Sequence, residues 1–202
     1  MNVIPTNIMN GIHRLARSTA LLALFAAAGC GGDLGSEEDA ARVYQGLDAS
    51  IDKAIQLGFD GFNAASSANI PEQTAMGTKK GTMTIGGKVD QGSSSNKTMS
   101  LTEVLVGYSD DGLLVYDTPS GAPAALDMKL SKVPDGTLEG SLSGQYAVSG
   151  DLAGTVTLTV SFTSDLEPVP TDDTKVQRKP ETTHITGTAT SDYGTYTIDI
   201  TR

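Results

Sequence analysis

Few residues of this 202-residue chain have the types and spacing that catalysis or metal binding requires. Beyond residue 29 there is a single histidine, His184, so a three-histidine metal site is excluded. The flanking Thr183 and Ile185 predict an outward strand position for His184, and no Gly-x-Ser-x-Gly motif accompanies it. We therefore predict no catalytic, cofactor-binding or metal-ligating residue, and the pattern favours a protein that is not an enzyme.

Acidic residues offer the remaining possible chemistry. The adjacent pairs at 110–111 and 172–173 are typical of solvated turns, and no calcium-binding loop motif is present. Glu103 is the one acid inside a predicted strand that could point inward, because the alternation there slips between Leu101 and Val104. A carboxylate-dependent hydrolase would need a second inward acid in the same cleft, so it is the weaker alternative.

The N-terminal segment has the pattern of an export signal. It contains Arg14 and Arg17 and no acid, followed by an apolar run at 20–28 that is too short to cross a bilayer as a helix. The only cysteine of the chain, Cys30, ends the sequence Ala27-Ala28-Gly29-Cys30. This ending resembles the lipobox of bacterial exported lipoproteins, although Ala27 stands where that family prefers leucine.

The resemblance implies a signal peptide over residues 1–29 and a mature chain that begins with Cys30. Its thiol would carry a diacylglyceryl group, and the membrane would be its partner through that lipid. Cleavage after Ala28 by an ordinary signal peptidase is the alternative. Because Gly31, not aspartate, follows the cysteine, the resemblance implies a location in the cell envelope at the outer membrane.

The charge of the chain restricts its partners. Removing residues 1–29 would take Arg14 and Arg17 from the 14 basic residues and none of the 24 acidic ones, so the formal net charge would change from −10 to −12. An acidic surface of this kind argues against binding to nucleic acid, whose phosphates need cations. It also argues against electrostatic binding to an anionic membrane, which leaves the lipid as the predicted attachment.

The next segments are a short tether and a helix. Residues 30–35 are rich in glycine and predict a lipidated tether of about 17 Å at most. Ser36 and Asp39 form a capping-box-like pair that predicts a helix over 36–58, with Gly58 ending it and residues 59–80 as a linker. We expect its apolar stripe to pack on the rest of the domain or, alternatively, on a partner helix; the stripe comprises Ala40, Tyr44, Leu47, Ile51, Ala54 and Ile55.

From residue 81 to 202 the apolar residues alternate with polar ones, which predicts a mainly β domain. We expect an antiparallel meander of about eight strands, forming a small barrel or a sandwich. The predicted strands are 81–89, 97–108, 113–117, 125–132, 137–148, 153–163, 183–190 and 193–201. The proline-rich, charged segment 164–182 is expected to be a functional or a disordered loop, and its composition favours disorder. Gly140 and Gly144 predict a surface that the helix approaches closely.

These observations lead to three functional hypotheses. The first is a membrane-anchored envelope lipoprotein that acts as a structural or interaction module with a protein partner. The second is a small-barrel carrier of a lipid or another apolar ligand, which would require a cavity. The third is the carboxylate-dependent hydrolase described above.

Overall fold

The computed structural model describes residues 32–90, 92–192 and 194–202, which form one helix and eleven strands. The helix is α1 (Glu37–Ala64). The strands are β1 (Gly32–Asp33), β2 (Asn69–Met76), β3 (Lys80–Val89), β4 (Lys97–Ser109), β5 (Leu114–Asp117), β6 (Ala124–Ser131), β7 (Thr137–Gly150), β8 (Leu152–Val169), β9 (Asp172–Arg178), β10 (His184–Ser191) and β11 (Gly194–Thr201).

The strands form one sheet in the order β11-β10-β8-β7-β5-β4-β3-β2. Strand β6 pairs with β4 and β7, β9 pairs with β8, and β1 adds to β8 as a parallel strand. All other pairings are antiparallel between strands that are close in the chain, so the predicted mainly β meander is confirmed. Each of the eight predicted strands is present, and β1, β2 and β9 are additional. The structure has a single sheet and not the two sheets of a sandwich.

Helix α1 begins as its sequence predicts. The backbone N–H of Asp39 donates to Ser36 Oγ (3.1 Å), and Asp39 Oδ2 accepts from the backbone N–H of Gly35 (3.0 Å). Three acidic residues, Glu37, Glu38 and Asp39, occupy the first turn, where the positive end of the helix dipole favours them.

The helix is longer than predicted and ends at Ala64 instead of residue 58. A Cβ atom on Gly58 would lie only 2.7 Å from Met128 Sδ, so this glycine permits close packing on the sheet and does not end the helix. Phe59 is fully buried one residue later and extends the apolar face. The predicted linker 59–80 therefore holds the last turns of α1 and the edge strand β2.

Helix α1 packs on the inner, apolar face of the sheet, which confirms that its stripe is covered by its own domain. Leu47, Ile51 and Ile55 are fully buried, and the helix contacts β2 and β3 on one side and β8, β9, β10 and β11 on the other. The prediction that Gly140 and Gly144 receive the helix is wrong. These glycines make room instead for the Phe162 ring and for Ala124, which lie on the same inner face.

Segment 164–182 is an ordered hairpin, which corrects the predicted disorder. Strand β8 continues to Val169, and β9 pairs with it antiparallel, with a register shift at Pro168. Leu166 and Val176 are buried, so one apolar residue on each strand attaches the hairpin to the core. The prolines are compatible with this arrangement because Pro168 lies in β8 beyond the residues that pair with β7 and β10, at the register shift, and Pro170 and Pro180 lie outside the strands.

The residues predicted as a tether are partly docked. Gly32 and Asp33 form β1, the backbone N–H of Leu34 donates to the Ala153 carbonyl (3.0 Å), and the Leu34 side chain is buried. Gly32, Asp33 and Leu34 are therefore part of the folded domain. Within the described ranges, no helix combines the length and the apolar character needed to span a bilayer.

Candidate functional site

The sheet is interrupted in its middle, between β5 and β6. Both strands lie between β4 and β7, but residues 118–123 join them outside the strand pairing. Backbone groups of β4 at this point bond to the start of this loop: Leu105 N–H donates to Thr118 Oγ1 and the Leu105 carbonyl accepts from Thr118 N–H, both at 2.9 Å. We call this place the sheet interruption.

Two polar side chains meet inside the domain at the sheet interruption. Tyr146 on β7 donates from Oη to Glu103 Oε1 on β4 at 2.6 Å, and both side chains are fully buried. One strand position, occupied first by β5 and then by β6, lies between β4 and β7, so these two strands are about 10 Å apart. Glu103 pairs with Ala124 at the start of β6, whereas Tyr146 lies between Ser143, which pairs with β6, and Ala147, which pairs with β5. The hydrogen bond therefore reaches from β4 to β7 past the start of β6.

Glu103 points inward, as the sequence analysis proposed, but for a different reason. Leu101, Glu103 and Leu105 are buried in regular alternation, so the alternation does not slip. Val104 and Val106 lie on the outer face with 37 % and 59 % exposure. Apolar residues on both faces of β4 concealed the period of two.

The Glu103 carboxyl is only partly satisfied. Oε2 is buried and has no hydrogen-bond partner within the described residues. Burial raises the pKa of Glu103 to about 7, an effect that the hydrogen bond from Tyr146 partly offsets. Burial and the nearby carboxyl likewise raise the pKa of Tyr146 well above its ordinary value. Glu103 can therefore gain or lose a proton near neutral pH.

The surroundings of Glu103 are apolar. Its neighbours across the sheet are Ile85 on β3 and Ala124 on β6. Five clefts on the surface of the described chain have volumes of about 280–380 Å³, and Glu103 and Tyr146 line none of the five. In the ranges that the structure describes, Glu103 is the one buried acid, so no second buried carboxyl accompanies it.

A first ion-pair cluster fastens the helix to β4. Lys53 of α1 donates from Nζ to Asp110 Oδ1 (3.1 Å) and to Tyr108 Oη (2.8 Å), and Tyr108 donates to Asp110 Oδ2 (2.5 Å). Partial burial of Asp110 opposes its ionisation, but hydrogen bonds from Tyr108, Thr78 and Lys53 outweigh it and lower its pKa to about 2. The pair 110–111 is thus more than a solvated turn.

A second cluster fastens the opposite side of the helix. Arg178 at the end of β9 donates to Asp52 Oδ1 (2.9 Å), and the Arg202 guanidinium bonds to both Asp48 and Asp52. Charged residues of the polar face of α1 thus bond to residues at the ends of strands. Sequence reasoning missed these pairs because Arg202 is 150 or more positions from Asp52 and Asp48.

The other residues considered from sequence do not assemble into a site. His184 is exposed on β10 and pairs with Asp199 on β11 (2.7 Å). Asp172 bonds to Thr174 and Lys175 in its own hairpin. The described residues contain no group of three or more His, Cys, Asp or Glu arranged to hold a metal ion. The predicted signal peptide over residues 1–29 and the predicted lipidation site Cys30 lie outside the described residues.

Comparison with known proteins identifies no relative for this arrangement. No family model, no curated protein and no solved structure matches the chain.

Proposed function

We propose that this chain is an exported lipoprotein, held in the cell envelope by acyl chains on Cys30, whose β-domain is a non-enzymatic structural or interaction module. The observation that carries the proposal is the position of the only cysteine. It ends a lipobox-like sequence, and two residues later the backbone N–H of Gly32 donates to the Asp151 carbonyl (3.0 Å).

The interior of the domain supports a structural role. The inner, apolar face of the sheet is covered by α1, whose Leu47, Ile51 and Ile55 are fully buried against it. Ion pairs on both flanks of the helix hold it in place. A domain built in this way presents its outer faces and edges, and not its interior, to other molecules.

Intact-mass analysis of the membrane fraction tests the anchor. We expect a diacylated or triacylated chain that begins at Cys30. Replacing Cys30 with serine should release the protein into the soluble fraction or leave the signal peptide uncleaved. An unmodified chain that begins at Gly29 would refute the proposal, because it indicates cleavage by the ordinary signal peptidase.

Membrane fractionation tests the location separately. Gly31 follows the cysteine where an aspartate would favour retention at the inner membrane, so we propose the outer membrane. Recovery of all the protein in the inner membrane would contradict this part of the proposal and leave lipidation intact.

A carrier of an apolar ligand is the second candidate. The observation that favours it is the inner face of the sheet, which is lined by apolar side chains such as Leu105, Leu142 and Val160 and is covered by one element, α1. A ligand could reach this face only if α1 moved away. Extraction of the protein purified from its natural host with organic solvent, followed by mass spectrometry, should then yield a stoichiometric lipid. Extraction that yields none beyond the acyl chains on Cys30 would refute it.

A further inference from the structure

Three segments meet at one end of the sheet, around the first described residue. The backbone N–H of Gly32 donates to the carbonyl of Asp151, and the backbone N–H of Asp151 donates to the carbonyl of Leu113, both at 3.0 Å. Because neighbouring strands are separated by about 4.8 Å, Leu113 lies about 10 Å from Gly32. The turn after β2 is at the same end, since the backbone N–H of Lys79 donates to the Ser109 carbonyl (3.0 Å). We call this the anchor end.

The anchor end exposes two large apolar side chains. Leu113, in the loop between β4 and β5, is 55 % exposed, and Met76, the last residue of β2, is 65 % exposed. Isolated apolar residues are common on protein surfaces and by themselves indicate nothing. Leu113 is distinguished by its position beside the point where the chain leaves toward Cys30, and Met76 lies at the same end of the sheet, five strand positions from β8.

We propose that the anchor end lies on the membrane surface, with Leu113 and Met76 inserted between lipid headgroups. The proposal rests on the lipidation of Cys30 proposed above. Cys30 is two residues before Gly32, and two residues span at most about 7 Å. Because β1 is hydrogen-bonded to β8 and Leu34 is buried, the domain cannot turn freely on a long tether. The lipid therefore draws this end of the domain to the bilayer.

The charges at the anchor end indicate which lipids it contacts. Asp33, Asp111 and Asp151 are exposed there and outnumber the exposed Lys79 and Lys80, whereas Asp110 is neutralised by its ion pair with Lys53. Exposed carboxylates are repelled by an anionic surface, so the contact should be closest on zwitterionic headgroups. Insertion of the two apolar side chains then supplies an attraction that does not depend on charge.

Lipid-quenching measurements on the full lipidated protein test this orientation. Cys30 is the only cysteine, and lipidation blocks its thiol, so Leu113→Cys places a unique site for a polarity-sensitive fluorophore. Asp135→Cys is the matched control, because Asp135 is exposed in the turn before β7 and β7 separates it from the anchor end by about 45 Å. Met76→Cys provides a second position at the anchor end. The variants are reconstituted in phosphatidylcholine vesicles that contain nitroxide-labelled lipid.

We expect a blue shift and a loss of emission for probes at 113 and 76, and neither change at 135. Adding phosphatidylglycerol should reduce the loss. Equal quenching at 113 and 135 would overturn the orientation, because the domain would then have no preferred face. A probe at 113 that is blue-shifted but not quenched would also overturn it, because this result would indicate that protein, and not lipid, covers that end. Intact mass of the same samples separates the two proposals: a lipidated chain with an unquenched probe overturns only the orientation, and an unlipidated chain overturns both.

Discussion

Replacing Glu103 with glutamine should change how the stability of the domain depends on pH. In the folded state burial raises the pKa of Glu103 from its ordinary value of 4.5 to about 7. Between these values the folded protein keeps a proton that the unfolded chain has lost, so the free energy of unfolding falls as pH rises through this window. One pKa unit corresponds to about 1.4 kcal/mol, so the shift amounts to about 3 kcal/mol. Above pH about 7 the loss is complete and the curve levels off.

Urea unfolding at a series of pH values measures this effect. The wild-type free energy of unfolding should decline through the window by about 3 kcal/mol relative to Glu103→Gln, which cannot ionise. Contributions from other titrating groups, including Asp110, are present in both proteins and cancel in the difference. The comparison uses the slope and not the absolute stability, because an amide NH₂ placed at the unpartnered Oε2 position carries its own cost of about 1–3 kcal/mol.

Two further variants sharpen the test. Glu139→Gln removes a carboxyl that is 62 % exposed on β7, so its curve should run parallel to that of the wild type. Tyr146→Phe removes the one hydrogen bond that lowers the pKa of Glu103, so the decline should extend to higher pH. If wild type and Glu103→Gln keep a constant difference across the window, Glu103 does not titrate in the folded state and the reasoning fails.

The remaining predictions concern the helix and are read as midpoints of urea unfolding. Ile51→Ala should destabilise the domain by about 2–5 kcal/mol, because this fully buried side chain would leave a cavity. Asp48→Asn, on the polar face, should cost less than about 1 kcal/mol since its pair with Arg202 is partly exposed; an equal loss for both would contradict the packing. Gly58→Ala should lose about 1–3 kcal/mol through contact with Met128 and regain about 1 kcal/mol in helix propensity, so the midpoint should fall slightly, whereas a raised midpoint would show that Met128 moves aside freely. Deletion of residues 37–64 should abolish cooperative unfolding, and a cooperative transition would show that the helix is dispensable.

The sequence predicted the strands that bury one full face and missed those that do not. Strand β8 alternates threonine with Val156, Leu158 and Val160, so its period of two is visible. By contrast, β2 buries only Ile70 and β9 only Val176, because both strands lie at the margins of the sheet. One buried residue per strand gives no periodic signal, and the prolines in these segments predict loops.

Glycine was the ambiguous residue in the helix. Gly58 has the signature of a helix end, yet it lies in the helix interior where the backbone approaches Met128 and Leu101. Gly61 has the same role beside Ile70, and Gly46 beside Tyr116. A glycine that ends a helix and a glycine that brings a helix onto a sheet look alike in sequence, because the difference depends on side chains from distant strands.

The pairing of Glu103 with Tyr146 was not predictable for a related reason. The inward position of Glu103 could be proposed from its strand, and a buried tyrosine hydroxyl generally finds a partner. That the two side chains meet depends on small residues of distant strands, since Ala124 of β6 and Gly144 of β7 lie between Glu103 and the Tyr146 ring. Residues 118–123 join two strands, β5 and β6, that both lie between β4 and β7. The sequence of these six residues does not distinguish this connection from an ordinary turn between neighbouring strands.

The location of this pair also suggests why a buried carboxyl is tolerated. Strand β7 pairs with β6 up to Ser143 and with β5 from Ala147, so the residues between them, including Tyr146, have no pairing partner in β5 or β6. An apolar pair could fill the same volume at a lower cost of desolvation. It could not, however, fix the distance and register of β4 relative to β7, which a directional hydrogen bond of 2.6 Å does. The hydrogen bond therefore fixes the spacing of β4 and β7 at the sheet interruption and offsets the cost of burying Glu103. A protonated Glu103 keeps this hydrogen bond at the smallest desolvation cost.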